Sequence, residues 1–216
     1  MRAGALILGL FMVAASAAAA SESERPAPAT ASGSATIEEL FARVQTLQSE
    51  AKWTAAVDTY RQILSREPTN ESALFGLGTV YIQLDDFKQA APLLEQVRRK
   101  MPDHPSVLNN LAWIYARSGD PALRDPATAL RYARQAVVTT PSDLNFLNTL
   151  AEAYFAGGDF SRAARLARQI VHMAKANGDL DPKAARELLA RCRQAGAIVP
   201  GEDESAIGRE RQDDQP

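Results

Sequence analysis

The chain has 216 residues, of which 46% are hydrophobic and 23% are charged, and it carries a formal net charge of −2. These proportions are typical of a globular protein and argue against a disordered or membrane-embedded one. The small net charge gives no indication of a nucleic-acid-binding surface, so we expect no nucleic-acid partner.

The amino-terminal segment, residues 1–20, has the layout of a secretory signal peptide. Arg2 supplies a positive start, residues 5–15 form an apolar run, and small residues follow. The run is shorter than the ~20 residues that a membrane-spanning helix needs, although an uncleaved anchor is the alternative. We therefore predict cleavage near Ala20, a periplasmic or equivalent exported location, and no membrane insertion of the mature chain. Residues 21–35, rich in Ser, Ala and Pro, are predicted to form a flexible leader.

From about residue 36 the sequence repeats itself at an interval of 34 residues. An alanine recurs at that interval, apart from one longer step, and a proline keeps the same spacing: Ala56, Ala90, Ala129 and Ala163, with Pro68, Pro102 and Pro141. The longer step contains five extra residues, which lie in the segment 118–128 and lengthen a turn. Such a period is typical of helical hairpins that bury their apolar faces only by stacking.

The pattern within each repeat predicts two helices. In the first, Leu74, Leu77 and Tyr81 and their counterparts lie on one face of a helix, next to a small residue such as Gly78. The recurring alanine gives the second helix a matching small surface. An aromatic residue opens the second helix in three of the repeats, and the proline ends it because proline cannot continue the hydrogen-bond ladder. These aromatic residues are Trp53, Phe87 and Phe160.

These positions resemble the tetratricopeptide repeat family, whose pattern residues 71–104 match nearly throughout. The resemblance covers residues 36–178 as four repeats, bounded as 36–70, 71–104, 105–143 and 144–178. It implies an all-α fold, a right-handed superhelical stack of four hairpins with a concave surface lined by the first helix of each pair. The first repeat departs most from the pattern, because Val44 stands where a small residue is expected.

A further helix is predicted over residues 179–195, with Asp181 as its cap and Pro182 in its first turn. Its apolar stripe consists of Ala185, Leu188, Leu189 and Cys192, and the arginines Arg186, Arg191 and Arg193 lie off that stripe. We interpret this helix as a solvating cap on the last hairpin and Cys192, the single cysteine of the chain, as a core residue. Residues 196–216 hold six carboxylates against two arginines and are predicted to form a disordered acidic tail.

The sequence contains no catalytic or metal-binding constellation that we recognise. His104 and His172 lack metal-ligand partners at helical spacing, and the glycines of "FGLGTVY" belong to a helix, not to a phosphate-binding loop. Asp85 and Asp86 are expected to cap the helix that opens at Phe87. We therefore predict a protein that is not an enzyme and has no cofactor and no metal site.

The resemblance also implies which residues line the concave groove. They are Phe75, Thr79, Gln83, Asn109, Trp113, Arg117, Asn145, Asn148, Glu152 and Phe155. Asparagine amides donate and accept hydrogen bonds, so they suit the backbone of an extended peptide, and aromatic side chains suit interface anchors. The alternative is that the asparagines are merely solvated and that Trp113 packs within its hairpin. Recognition of a free carboxylate is not expected, because Arg117 is the one basic residue among these ten.

The leading hypothesis is a non-enzymatic scaffold of the cell envelope that holds an extended segment or a helix of a partner protein in this groove. The alternative is a self-associating structural component of an envelope assembly for secretion, the outer membrane or polysaccharide export. In that case the open edge of the first hairpin would stack on another copy and form a homo-oligomer. Partner and pathway are not encoded in any motif that we recognise.

Overall fold

The computed structural model describes residues 35–177 and 182–196, which form nine α-helices and no strand within those ranges. The helices follow one another as α1 (Ile37–Ser49), α2 (Trp53–Arg66), α3 (Glu71–Gln83), α4 (Phe87–Lys100), α5 (Pro105–Arg117), α6 (Pro126–Thr139), α7 (Leu144–Ala156), α8 (Phe160–Asn177) and α9 (Lys183–Gln194). The first eight form four hairpins, and α9 packs on the last one. The predicted all-α stack is confirmed. The signal peptide, almost all of the leader and of the acidic tail, and the predicted cap Asp181 lie outside the described residues.

The helix boundaries lie where the recurring aromatic and proline residues predict them. The aromatic residues Trp53, Phe87 and Phe160 open α2, α4 and α8. The helices α2, α4 and α6 each end two residues before a proline of the repeat. Asp86 caps α4 as expected, since its Oδ1 accepts a hydrogen bond from the backbone N–H of Gln89 at 3.2 Å.

The five extra residues of the third repeat lie between α5 and α6 and leave both helices intact. Asp120 organises this longer turn, because its Oδ1 accepts from the backbone N–H of Ala122 at 3.0 Å and its Oδ2 pairs with Lys88 Nζ at 3.1 Å. These two contacts lower the pKa of Asp120. The insertion is thus a folded turn anchored to α4.

Close helix packing depends on the small residues that the repeat preserves. The recurring alanines Ala56, Ala90, Ala129 and Ala163 are all fully buried. In α3, a Cβ added at Gly76 would lie 2.2 Å from the Tyr60 hydroxyl, and one added at Gly78 would lie 2.8 Å from Leu94 Cγ. Side chains of the neighbouring second helices therefore occupy the space that any larger residue would need.

A tyrosine on the first helix of three successive hairpins is tied to the preceding hairpin. Arg61 Nη2 donates to the Tyr81 hydroxyl at 2.8 Å, the Tyr115 hydroxyl donates to Glu95 Oε1 at 2.8 Å, and Arg134 Nη2 donates to the Tyr154 hydroxyl at 3.2 Å. The partners lie 20 positions apart in every case. The repeat thus places the tyrosine both in the core and at the junction between hairpins.

Candidate functional site

The ten residues predicted to line the groove lie on α3, α5 and α7; we call them the concave stripe. On α3 and α5 they recur every fourth residue, which places them along one side of each helix. Phe75, Thr79, Gln83, Trp113, Asn145 and Phe155 are half-buried. Arg117 has a 35% exposed side chain, whereas Asn109, Asn148 and Glu152 are buried. The polar centre of the stripe is therefore largely withdrawn from solvent.

On α3, the stripe residue Thr79 is engaged in hydrogen bonds within the protein. Thr79 Oγ1 donates to the carbonyl of Phe75 at 2.9 Å and accepts from Asn110 Nδ2 at 3.1 Å. The ring of Phe75 lies 6.1 Å from that of His104. Asn110, which the sequence places next to the groove set, thus joins α5 to α3.

Asn109 and Asn148 behave differently from Asn110. They occupy equivalent positions on α5 and α7 and are 3% and 5% exposed. The side-chain oxygen Oδ1 of each has no hydrogen-bond partner among the described residues. A buried polar group without a partner costs roughly 1–3 kcal/mol, and such groups are rare in native proteins. The fold therefore leaves the side-chain oxygens of two of the three predicted groove asparagines without a partner among the described residues.

Glu152 is the centre of a charged cluster at the carboxyl-terminal end of the stripe. Its Oε1 accepts from Arg117 Nη1 at 2.9 Å and from Arg191 Nη1 at 2.8 Å, and its side chain is 6% exposed. The two arginine side chains remain 35% and 39% exposed. With two guanidinium groups and one carboxylate, the cluster carries a net positive charge that faces the solvent-accessible side.

Each of these arginines also stacks on an aromatic ring. The guanidinium carbon of Arg117 lies 4.8 Å from the centroid of Trp113, and that of Arg191 lies 4.2 Å from the centroid of Phe155. Cation–π contact and a shared carboxylate together fix the orientation of both guanidinium groups. A guanidinium has five N–H donors, so each group presents further donors in a fixed direction.

Arg191 is a residue of the candidate site that the sequence analysis does not identify. Because it lies off the apolar stripe of α9, hydrophobic periodicity predicts that it lies on the solvated face of a cap. Counted from the first residue of its helix, however, Arg191 is the ninth, as Thr79, Trp113 and Glu152 are in α3, α5 and α7. The helix α9 therefore brings Arg191 to the end of the concave stripe, in contact with Glu152 and Phe155. The position count is the sequence signal that could reveal this residue.

Among residues 35–177 and 182–196 there is no group of three or more His, Cys, Asp or Glu side chains placed to hold a metal ion. Within the same ranges, no helix has the length and apolarity required to cross a membrane.

Comparison with known proteins identifies the repeats. Two family models, both described as tetratricopeptide repeat, match residues 47–114 and 122–185, which together make up more than half of the chain. Cellulose synthase operon protein C of Komagataeibacter sucrofermentans is 29% identical over 144 residues, which cover 67% of this chain and 10% of that protein. The chain thus spans about a tenth of the length of this curated relative.

Solved structures share the fold. The structure of MamA 41-end from Desulfovibrio magneticus RS-1 superposes with a TM-score of 0.54 at 20% identity, over 64% of this chain and 76% of that one. TTC0263, a thermophilic TPR protein in Thermus thermophilus, superposes with a TM-score of 0.53 at 16% identity, over 73% of this chain and 97% of that one. At such identities the similarity concerns the helical architecture.

Proposed function

Since the chain belongs to the tetratricopeptide repeat family, we propose that it is a non-enzymatic scaffold that holds a segment of a partner protein on its concave surface. The observation that carries this proposal is the cluster of Arg117, Glu152 and Arg191. Its guanidinium groups are oriented by aromatic rings, remain partly exposed, and lie on the surface that the repeat stack leaves open.

The cluster suits the backbone of an extended segment. Carbonyl oxygens of a bound strand would accept hydrogen bonds from the outward N–H groups of Arg117 and Arg191, while Trp113 and Phe155 would cover its apolar side chains. The donors are already in place, so binding would not require the arginine side chains to be ordered anew. The groove would therefore recognise a backbone and a few apolar side chains more than a particular sequence.

We further propose that the protein acts in the cell envelope. The support for this location is the signal-peptide layout of residues 1–20, with Arg2 before an apolar run and small residues at its end. The similarity to a protein of a cellulose synthase operon agrees with polysaccharide export, one of the envelope assemblies that the sequence leaves open.

Site-directed photocrosslinking tests the binding surface. A photoreactive residue is placed at Gln83 or Asn145 on the concave stripe, and at the exposed Arg99 of α4 as a control. The protein from residue 21 onward is incubated with envelope extract, and the crosslinked partner is identified by mass spectrometry. We expect a shared partner from both stripe positions and none from Arg99. A partner that crosslinks equally well from Arg99 would contradict binding on the concave surface.

Affinity for the purified partner then tests the role of the arginines. Arg117→Gln keeps most of the side chain but removes the guanidinium, and we expect at least about tenfold weaker binding because charge-assisted hydrogen bonds are lost. Arg99→Gln removes the same charge elsewhere on the surface and should leave the Kd unchanged. Equal effects of the two substitutions would indicate a general electrostatic contribution in place of a specific contact.

A further inference from the structure

The apolar core of the described residues is divided into two clusters, and the second one is small. The first cluster extends from the first hairpin to one side of α7. The second joins the other side of α7 to α8 and α9, and half-buried side chains such as Tyr154 and Leu166 contact both. Because an alanine buries less apolar area than a leucine or a valine, a cluster rich in alanine contributes less stabilisation per residue. Five of the nine members of the second cluster are alanines: Leu147, Ala151, Ala163, Ala164, Ala167, Ile170, Ala185, Leu188 and Cys192.

The helix α9 depends on this second cluster for its attachment. It has twelve residues, of which three are buried. A helix of this length is only marginally stable on its own in water, so α9 stays folded chiefly while it is docked. Its exposed basic residues have interaction partners as well, but contacts between exposed side chains contribute little. These residues are Lys183, Arg186 and Arg193.

The fourth hairpin is tied together differently from the other three. In those, the end of the second helix donates to a residue that lies just before the first helix. The donors and acceptors are Arg66 and the carbonyl of Ala35, Lys100 Nζ and the carbonyl of Thr69 at 3.3 Å, and Gln135 Nε2 and Asp103 Oδ1 at 2.6 Å. In the fourth hairpin the equivalent positions hold Met173 and Gln169, and Gln169 Nε2 lies 3.9 Å from Met173 Sδ. These two side chains therefore contact each other along α8 and not the turn before α7.

The carboxylate shared by two arginines lowers the cost of releasing α9. If Arg191 withdraws, Glu152 Oε1 still accepts from Arg117 Nη1 at 2.9 Å, so the buried carboxylate keeps a partner. Breaking a buried ion pair is costly mainly because it leaves a charge without a partner, and here that penalty does not arise. The withdrawal also separates two like charges that converge on one oxygen.

We propose that α9 is a reversible docking helix, which leaves and rejoins the fourth hairpin while the rest of the stack stays folded. Each departure removes Arg191 from the concave stripe and from the ring of Phe155 on which it stacks. The cluster at the end of the stripe then holds one guanidinium and one carboxylate in place of two and one. The regulatory meaning rests on the proposed function: a partner that contacts Arg191 favours the docked state, so α9 regulates the site.

The single cysteine of the chain reports this equilibrium in the unmodified protein. Cys192 is fully buried in the contact of α9 with the fourth hairpin. Burial also raises the pKa of its thiol, so the docked helix denies a reagent both access and the reactive thiolate. The rate of reaction with an excess of the thiol reagent DTNB, divided by the rate for the urea-unfolded chain, gives the fraction of molecules in which Cys192 is exposed. Urea unfolding of the same protein gives the fraction expected from global unfolding alone.

We expect the exposed fraction to exceed the globally unfolded fraction at least about tenfold. It should also rise less steeply with urea, because undocking one helix exposes little surface. As a control, Val97→Cys in a Cys192→Ala background places the thiol in the first cluster, where Val97 is fully buried. That thiol should react only as fast as global unfolding of its own variant allows.

The shared carboxylate predicts opposite effects for its two arginines. Arg191→Gln removes a contact of α9 and should raise the labelling rate of Cys192 at least about threefold. Arg117→Gln should lower that rate at least about threefold, because Glu152 then depends on Arg191 alone and the competing cation is gone. Glu187→Gln is the matched control at an exposed position of α9 and should change the rate less than about twofold.

Labelling of Cys192 that follows global unfolding, both in rate and in its dependence on urea, would overturn the proposal. Equal acceleration by Arg117→Gln and Arg191→Gln would overturn it as well, since Glu152 would then only stabilise the fold as a whole. Both results concern the protein alone and leave the proposed function standing. Failure of the concave stripe to bind a partner would instead remove the proposed function and leave the measured docking equilibrium unchanged.

Discussion

Arg191 donates a hydrogen bond from Nη1 to Oε1 of Glu152 at 2.8 Å, across 39 positions of sequence. This contact joins the last described helix to the first helix of the fourth hairpin. Arg117 donates to the same oxygen at 2.9 Å, so one buried carboxylate serves two cations. The cluster thus has a structural role, which is to hold α9, and it also orients the two guanidinium groups that we assign to partner binding.

The first prediction concerns Glu152. Glu152→Gln removes the charge shared by Arg117 and Arg191 while keeping the shape of the side chain. Breaking a fully buried ion pair costs about 3–5 kcal/mol, but both arginines are more than a third exposed, so we expect a loss of about 1–2 kcal/mol in the free energy of unfolding. Urea denaturation measures it.

Glu187→Gln is the matched control for Glu152→Gln. Glu187 is exposed and lies 3.9 Å from Lys183, so its neutralisation should cost less than about 0.5 kcal/mol. If both substitutions changed the stability equally, Glu152 would not be the centre of a stabilising cluster.

The second prediction concerns the contact of α3 with α2. Gly76→Ala would place a Cβ within 2.6 Å of three atoms of the Tyr60 ring and hydroxyl, and Tyr60 is only 6% exposed. The buried ring must shift to make room for this Cβ, so we expect a destabilisation of about 1–3 kcal/mol by thermal or urea unfolding. Gly119→Ala, where the new Cβ meets nothing within 4 Å, should change the stability by less than about 0.5 kcal/mol.

A double-mutant cycle identifies the cause. In a Tyr60→Ala background the ring is absent, so Gly76→Ala should become nearly neutral. Additive losses would mean that Gly76 is required for a reason other than the approach of Tyr60.

Much of this fold is predictable because the repeat encodes the same contact several times. Phe87 opens α4 and Pro102 follows its end, and counterparts of these residues recur in other hairpins. A helix boundary that is ambiguous in one repeat can therefore be placed from the equivalent residues of the others. The first hairpin shows the limit of this approach. Val44 departs from the small-residue pattern and is still buried, because packing volume at a helix contact is shared among several side chains.

The sequence predicts less of the candidate site than of the fold. The positions of Asn109, Trp113 and Glu152 follow from the repeat, but their burial does not, since it depends on how closely α5 and α7 approach. Hydrophobic periodicity identifies only the apolar side of a helix, so it places Arg191 on a solvated face. The hydrogen bond between Arg191 and the buried Glu152 joins residues 39 positions apart. Such a contact depends on how the helices pack, which the hydrophobic pattern of a single helix does not indicate.

The third prediction concerns pH. Burial raises the pKa of Tyr60 to about 12, from an ordinary value of about 10, against a smaller opposite effect of a hydrogen bond with Gln48. The folded state therefore holds the phenol proton more tightly than the unfolded chain does. Its contribution is fully present below pH 10 and is lost as the pH rises from about 10 to about 12, by roughly 2–3 kcal/mol in total.

Melting temperatures between pH 9 and pH 12 measure this effect, with Tyr60→Phe as the reference, because it keeps the ring and lacks the ionisable hydroxyl. The wild-type protein should lose stability more steeply than Tyr60→Phe above pH 10. Burial and the neighbouring Glu95 raise the pKa of Tyr115 as well, which adds alkaline sensitivity of the same sign to both proteins and cancels in their difference. Parallel curves would show that Tyr60 ionises as freely in the folded protein as in the unfolded chain.

The last prediction separates two adjacent asparagines. Asn109→Leu replaces a buried amide whose oxygen has no partner by an apolar group of similar size, so the protein should be as stable as the wild type or more stable by up to about 1 kcal/mol. Asn110→Leu, one residue along α5, removes the hydrogen bond to Thr79 and should cost about 1 kcal/mol or more. If the unsatisfied amide is retained for binding, Asn109→Leu and the equivalent Asn148→Leu should weaken partner capture while folding is preserved. A stabilised Asn109→Leu protein that binds its partner with unchanged affinity would remove this asparagine from the binding surface and leave the arginine cluster to account for recognition.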